Sequence, residues 1–310
     1  MKDTDMQTVD PELKGALERF PGFDITAEFL SAIRKFPAKP PRSTPDYKEV
    51  FIGTEGEKNP LRCLIIDPIP DADNRPAMLY FHGGGYIFGS PEITLPTAQK
   101  LAEDVGCLII LPDYRLAPEH PFPAALEDGL RVLSWLKVNE DRLRLDTACI
   151  AIGGDSAGGG HAVVLTAAID EKTSIVPSYL FLAYPMLDND TGADGEGGTS
   201  IWTPANNRFG WQSYLGSGDI LEKIANGAVP SKIDDVKNFP PTFLATGNLD
   251  LFYNENLEFV KKLQIQGVTT EQRIFEGAYH GFDVLVPEAK VSQDFHKTCV
   301  DCLKSHFNIK

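Results

Sequence analysis

Long apolar stretches are missing from this sequence. None approaches the roughly 20 apolar residues that a membrane-spanning helix needs. The best candidate, residues 175–187, is cut by Pro177, Ser178 and Pro185. Basic charge is also scarce: 29 Lys and Arg stand against 44 Asp and Glu, for a net charge of −15. A surface this acidic repels nucleic-acid phosphate and anionic lipid headgroups, so neither is expected as a partner. Cysteine is sparse and odd in number. Cys63, Cys107 and Cys149 sit in apolar runs, where Cys acts as a small hydrophobe. Cys299 and Cys302 form a C-x-x-C with no second pair, two ligands short of a structural zinc site. The start, Met-Lys-Asp-Thr-Asp-Met-Gln, lacks the basic residues and apolar run of a secretory signal. A reducing cytoplasm is the compartment expected.

What is present is ordinary globular chain, 42% hydrophobic and 24% charged over 310 residues. Residues 11–20 and 25–36 read as two short amphipathic helices split by Pro21-Gly22. Residues 37–45 hold four prolines and read as a linker, which sets 1–45 apart from a main domain at 46–310. Strand-like runs then recur at 47–54, 61–67, 77–81, 107–111, 148–153, 179–184, 242–246 and 271–275. Helical patterns fall between them at 94–105, 123–138, 157–169, 254–266 and 288–306. Runs such as Leu108-Ile109-Ile110-Leu111 imply burial on both faces. The alternation predicts an eight-stranded, mostly parallel α/β sheet flanked by helices, with the first two strands antiparallel. Residues 188–239 break the rhythm and read as a cap or lid insertion. Their acidic start fails EF-hand spacing, because Ala193 stands where glycine is required, and reads as a solvated, mobile stretch.

Four chemical features each follow a predicted strand, which directs them to one edge of the sheet. Gly154-Asp155-Ser156-Ala157-Gly158 is a G-x-S-x-G between a strand and a helix, the context of a nucleophile elbow. Ala157 then offers its N–H at a helix N-terminus. His82-Gly83-Gly84-Gly85 is followed by Tyr86-Ile87-Phe88 rather than by the Lys-Ser/Thr of a phosphate loop, so Gly83 and Gly84 read as oxyanion donors. His82 reads as a structural hydrogen-bonding residue. A serine nucleophile needs an imidazole base, and the base needs a carboxylate to orient it. Asp250 and His280 supply these in the chain order Ser156, Asp250, His280. His161 lies within a helix, and His296 and His306 read as exposed on the last one. Asp234, Asp235, Glu255 and Asp283 compete for the orienting role, but none follows a strand end in that order.

Together with Asp113-Tyr114-Arg115-Leu116-Ala117-Pro118-Glu119 and Tyr279-His280-Gly281-Phe282, these motifs resemble the hormone-sensitive-lipase family of esterases, especially its bacterial branch. The resemblance covers about residues 78–282. It implies an α/β-hydrolase fold, with 46–310 as the catalytic domain and the helices of 1–45 as a cap. It implies Ser156 as nucleophile, His280 as base, Asp250 as its orienter, and Gly83, Gly84 and Ala157 as oxyanion donors. The block around Arg115 and Glu119 is structural in that family. Relatives often read Asp-Pro-Leu-Arg-Asp-Glu where this chain has Asp250-Leu251-Phe252-Tyr253-Asn254-Glu255. The expected activity is a serine carboxylesterase acting on short- to medium-chain or aryl esters, with a small-molecule ester as substrate and no cofactor or metal. An imidazole base must be neutral, so activity is expected to fall as pH drops through roughly 6–7. The alternatives are an amidase or dehydratase on the same triad, or a non-catalytic small-molecule receptor on the same fold. A monomer or a homodimer, joined through an edge strand or the last helix, is expected.

Overall fold

The computed structural model describes residues 3–309 except 21, 23, 35–46, 54–55, 170–174, 196 and 200. The proline-rich linker expected at 37–45 lies outside the described residues. The strands are β1 Tyr47–Ile52, β2 Leu61–Ile66, β3 Arg75–Phe81, β4 Leu108–Pro112, β5 Leu145–Asp155, β6 Tyr179–Ala183, β7 Thr242–Gly247 and β8 Thr270–Phe275. They form one sheet in the order β1-β2-β4-β3-β5-β6-β7-β8. β2 pairs antiparallel with both β1 and β4, and every other pairing is parallel. The antiparallel start follows from the short link between the first two strands, which leaves no room for a crossover helix.

The apolar runs explain the layering. Along β4, Ile109 and Leu111 join the core on one face while Leu108 and Ile110 join the core on the other. Alternate residues of a strand point to opposite faces, so a continuous apolar run means cover on both. The helices that supply it are α1 Asp3–Thr8, α2 Lys14–Arg19, α3 Ala27–Ile33, α4 Pro91–Val105, α5 Ala124–Val138, α6 Glu140–Leu143, α7 Ala157–Ala168, α8 Pro204–Leu215, α9 Ile220–Ala225, α10 Tyr253–Ile265, α11 Phe282–Leu285 and α12 Lys290–Phe307. A third apolar cluster roofs the sheet edge, with Ile25 and Leu30 of the N-terminal region packed among Tyr86, Trp202, Trp211 and Phe252.

Several expectations are corrected. The N-terminal region carries a further helix, α1, whose polar sequence has no apolar stripe to reveal it. α2 begins only at Lys14, because Pro11 to Leu13 form a turn closed by Leu13 N–H on Asp10 O at 3.0 Å. The insertion contains two helices of its own, α8 and α9, capped at their N-termini by Thr203 and Asp219 side chains. In its acidic start Asp190 and Asp194 are exposed, as expected, and Asp188 and Asp190 also face Lys232, at 3.7 and 2.6 Å. His296 and His306 are not exposed. His296 pairs with Asp104 at 2.7 Å, and His306 stacks on Tyr179 at 4.1 Å.

The buried imidazoles have a thermodynamic consequence. His161 sits in an aromatic cage, edge-on to Tyr86 at 4.8 Å and to Tyr114 at 4.7 Å. Burial pushes its imidazole down to about 3, so the folded protein refuses a proton that the unfolded chain accepts below about 6.5. Its contribution therefore weakens as pH falls below 6.5 and continues to weaken until pH nears 3. In His161→Phe this penalty is absent. The stability of the wild type relative to that variant is expected to drop by about 1.4 kcal/mol per pH unit between about pH 6 and pH 4. Denaturant unfolding of both proteins across that range checks it, and a difference that stays constant would contradict the burial of a neutral ring.

Candidate active site

Strand register brings the four features together. Phe81 at the end of β3 pairs with Gly154 of β5, so the glycine loop lies beside the G-x-S-x-G turn. Gly247 at the end of β7 pairs with Phe275 of β8, which sets the Asp250 and His280 loops side by side. Leu249 N–H on Ala278 O at 3.0 Å ties those two loops together. These are the carboxyl ends of parallel strands, and β3 is the strand at which the sheet order reverses.

Ser156 stands between β5 and α7 with φ 54° and ψ −123°, a conformation that costs a non-glycine residue free energy and turns its side chain outward. The turn is tight enough to exclude a side chain at Gly158. A Cβ there would lie 2.0 Å from Phe81 O and 2.6 Å from His82 O. His280 Nε2 is 2.9 Å from Ser156 Oγ, and His280 Nδ1 is 2.8 Å from Asp250 Oδ2. An ionised carboxylate only accepts, so Nδ1–H donates to Asp250 and leaves Nε2 to accept the serine proton. Asp250 is itself held by the Phe252 N–H on Oδ1 at 2.9 Å. The imidazole is wedged edge-on between Phe252 at 4.9 Å and Tyr184 at 5.1 Å. All three side chains are buried, so little water competes for these bonds.

The glycine loop closes over this line. A Cβ on Gly83 would fall 3.3 Å from Ser156 Cβ, and Gly84 adopts φ 126°, which only glycine takes readily. Ala157 opens α7 directly after Ser156 and is fully buried, which puts its N–H at a helix N-terminus beside the serine. His82 plays the structural part expected of it. Its Nδ1–H donates to Gly83 O at 2.7 Å, its ring stacks on Tyr114 at 4.2 Å, and burial pushes it down to about 4. Arg34, just beyond α3, donates from Nε to Ile87 O at 2.7 Å and pairs with Glu119 at 2.6 Å. Arg115 pairs with Asp128 at 3.0 Å and lies in the supporting structure.

Ser156 and His280 open on a cavity of about 580 Å³, walled by Phe88, Trp202, Tyr184 and residues of α4 and α12. A separate cleft of about 700 Å³ beside Asp190, Glu258 and Lys262 has no nucleophile next to a base and is not the site. Sequence reasoning missed two polar members of the wall, Asp155 and Asp283. Burial, and then the charge of Asp283, pushes the Asp155 carboxyl up to about 7. Burial raises Asp283 as well. Asp155 was visible inside the serine motif, but nothing in the sequence showed that the two acids share a wall. Among the described residues, no group of three His, Cys, Asp or Glu side chains is placed to hold a metal ion.

Comparison with known proteins agrees with this fold. Residues 78–284 match the model of a family described as having the alpha/beta hydrolase fold. Esterase LipI of Mycobacterium tuberculosis is 28% identical over 88% of this chain and 88% of its own length. Carboxylesterase NlhH of the same species is 28% identical over 91% of this chain and 92% of its own. The solved structure of a bacterial heroin esterase superposes with a TM-score of 0.86 at 28% identity, covering 97% of this chain and 99% of that one. With its serine turn, its glycine loop and its eight-stranded sheet, the chain belongs to the α/β-hydrolase-fold family, among the esterases that resemble hormone-sensitive lipase.

Proposed function

We propose that this protein is a serine carboxylesterase that works through an acyl-enzyme on Ser156, with His280 as general base and acid and Asp250 as the orienter of the imidazole. The observation that carries the proposal is the continuous line from Asp250 Oδ2 through His280 to Ser156 Oγ, with contacts of 2.8 and 2.9 Å. Ser156 attacks the ester carbonyl while His280 Nε2 takes its proton. The oxyanion is held by the backbone N–H groups of Gly83, Gly84 and Ala157. The Gly83 N–H also faces the Asp155 carboxyl, so it is shared between that group and the oxyanion. His280 then protonates the departing alcohol. Water, activated by the same ring, releases the acid and restores Ser156.

The substrate is a short- to medium-chain or aryl ester. Its limits are set by a roof of Trp202 and Phe88, with Ile25 and Leu30 of the N-terminal region packed in the cluster behind Trp202 as the cap over the main domain. Two contacts support the cap: Ile25 N–H on Asn206 Oδ1 at 2.7 Å, and the Arg34 clamp on Ile87. A cavity of this size suits a compact acyl group rather than long lipid chains.

Ser156→Ala and His280→Ala are each expected to lower kcat on a 4-nitrophenyl ester by on the order of 10³-fold or more. Near-wild-type turnover by either would overturn the assignment, as would failure of an organophosphonate to add its mass to the peptide holding Ser156. Paired ester and amide substrates separate an esterase from an amidase. Across a series of acyl lengths, kcat/KM is expected to peak at short or medium chains, and a maximum at long chains would refute the proposed cap. A base must be unprotonated, so kcat/KM on a neutral ester should fall toward acid; a profile flat from about pH 5 to about pH 8 would contradict His280 as base.

A further inference from the structure

The cavity beside Ser156 is not walled as a purely apolar acyl pocket would be. Asp283 Oδ1 accepts the Tyr184 hydroxyl at 2.7 Å, and the Tyr184 ring meets the His280 ring edge-on at 5.1 Å. Asp283 is therefore one aromatic side chain away from the reacting imidazole. In the same wall, Asp155 Oδ1 is buried with no hydrogen-bond partner, while the rest of that carboxyl faces the Gly83 N–H and the Tyr80 hydroxyl. Aromatic rings surround the two acids. Tyr80 lies against Phe181 at 6.3 Å, Tyr184 stacks on Phe295 at 5.9 Å, and all four line the cavity.

Among the described residues, no lysine or arginine is seated deep enough to neutralise this wall. The basic side chains that line the cavity are Lys100, which is exposed on α4, His296, which is occupied by Asp104 at 2.7 Å, and His280, which already bonds Asp250 at 2.8 Å and offsets the charge of the two acids only when it is protonated. A carboxylate in an apolar cavity without a counter-charge is unfavourable, and the raised proton affinities of Asp155 and Asp283 report that cost. A neutral acyl chain would leave the wall in this state. A bound cation would relieve it, and the surrounding ring faces would add cation–π attraction. A net charge of −15 draws cations toward the protein in the first place.

We propose that the cavity takes esters that carry an ammonium group, with the Asp283 carboxylate as counter-charge and the rings of Tyr80, Tyr184 and Phe295 around the cation. This rests on the esterase reading of the same site and names its substrate class. Asp283 touches no reacting atom; it sets which esters bind.

Two pairs of esters differing only by nitrogen for carbon test it. Acetylcholine against 3,3-dimethylbutyl acetate places the charge on the alcohol. Methyl 4-(trimethylammonio)butanoate against methyl 5,5-dimethylhexanoate places it on the acid. In at least one pair, the wild type is expected to favour the cation in kcat/KM by about tenfold or more. In Asp283→Asn that ratio should fall to about one or below. The ratio is taken within each protein, so a general loss of turnover cancels. Should the variant fail to fold, competition in the wild type decides: phenyltrimethylammonium must inhibit at lower concentration than tert-butylbenzene. Neutral esters hydrolysed without preference, or a preference that survives in Asp283→Asn, would overturn this inference alone. No hydrolysis of any of the four, together with an unlabelled Ser156, would overturn the esterase reading first.

Discussion

A backbone-to-backbone approach governs this molecule. Where the sheet order reverses, the turn from β5 into α7 presses against the end of β3, close enough that one methyl group at Gly158 would strike the Phe81 carbonyl. That approach holds Ser156 in its strained conformation and lays the glycine loop across it. The side chains then add only short, local links. Asp250 and His280 arrive from neighbouring strand ends, and the imidazole spans the gap to Ser156. Parallel strands in register convert three sequence-distant loops into one site.

The electrostatics follow from burial. His82 and His161 are driven toward the neutral state by the apolar and aromatic surroundings that pin the glycine loop. Asp155 and Asp283 are driven the same way, toward neutrality, by gaining affinity for a proton. The difference lies in what each faces. The imidazoles are enclosed by rings of the protein itself, whereas the acids line a cavity that a ligand enters. The same low dielectric therefore keeps the support structure uncharged in one place and, on the substrate reading proposed above, makes a surface selective for cations in the other.

Much of this was legible in the sequence, for identifiable reasons. The eight strands announced themselves because sheet residues covered on both faces are apolar in unbroken runs, and the serine, glycine-loop and histidine motifs stood directly after them. What was illegible depended on contacts between distant segments. β5 begins at Leu145 rather than near Ala148, because Leu145 pairs with Arg75 across an irregular step. Lys232 organises Asp188 and Asp190, and Tyr179 shelters His306, neither of which any local pattern encodes. The acid wall is the clearest case. Asp155, Tyr184, Asp283 and Phe295 come from four separate stretches, and each looked ordinary in its own surroundings.

Arg34 gives the N-terminal region a mechanical part. Its guanidinium grips the Ile87 carbonyl, three residues beyond Gly84, and the Ala117 carbonyl on the neighbouring connection. Any displacement of α3 must first break these bonds and release the segment of backbone that continues from the glycine loop. Anchorage of the N-terminal region and placement of the loop beside Ser156 are thereby geared to one another: whatever loosens the first slackens the second.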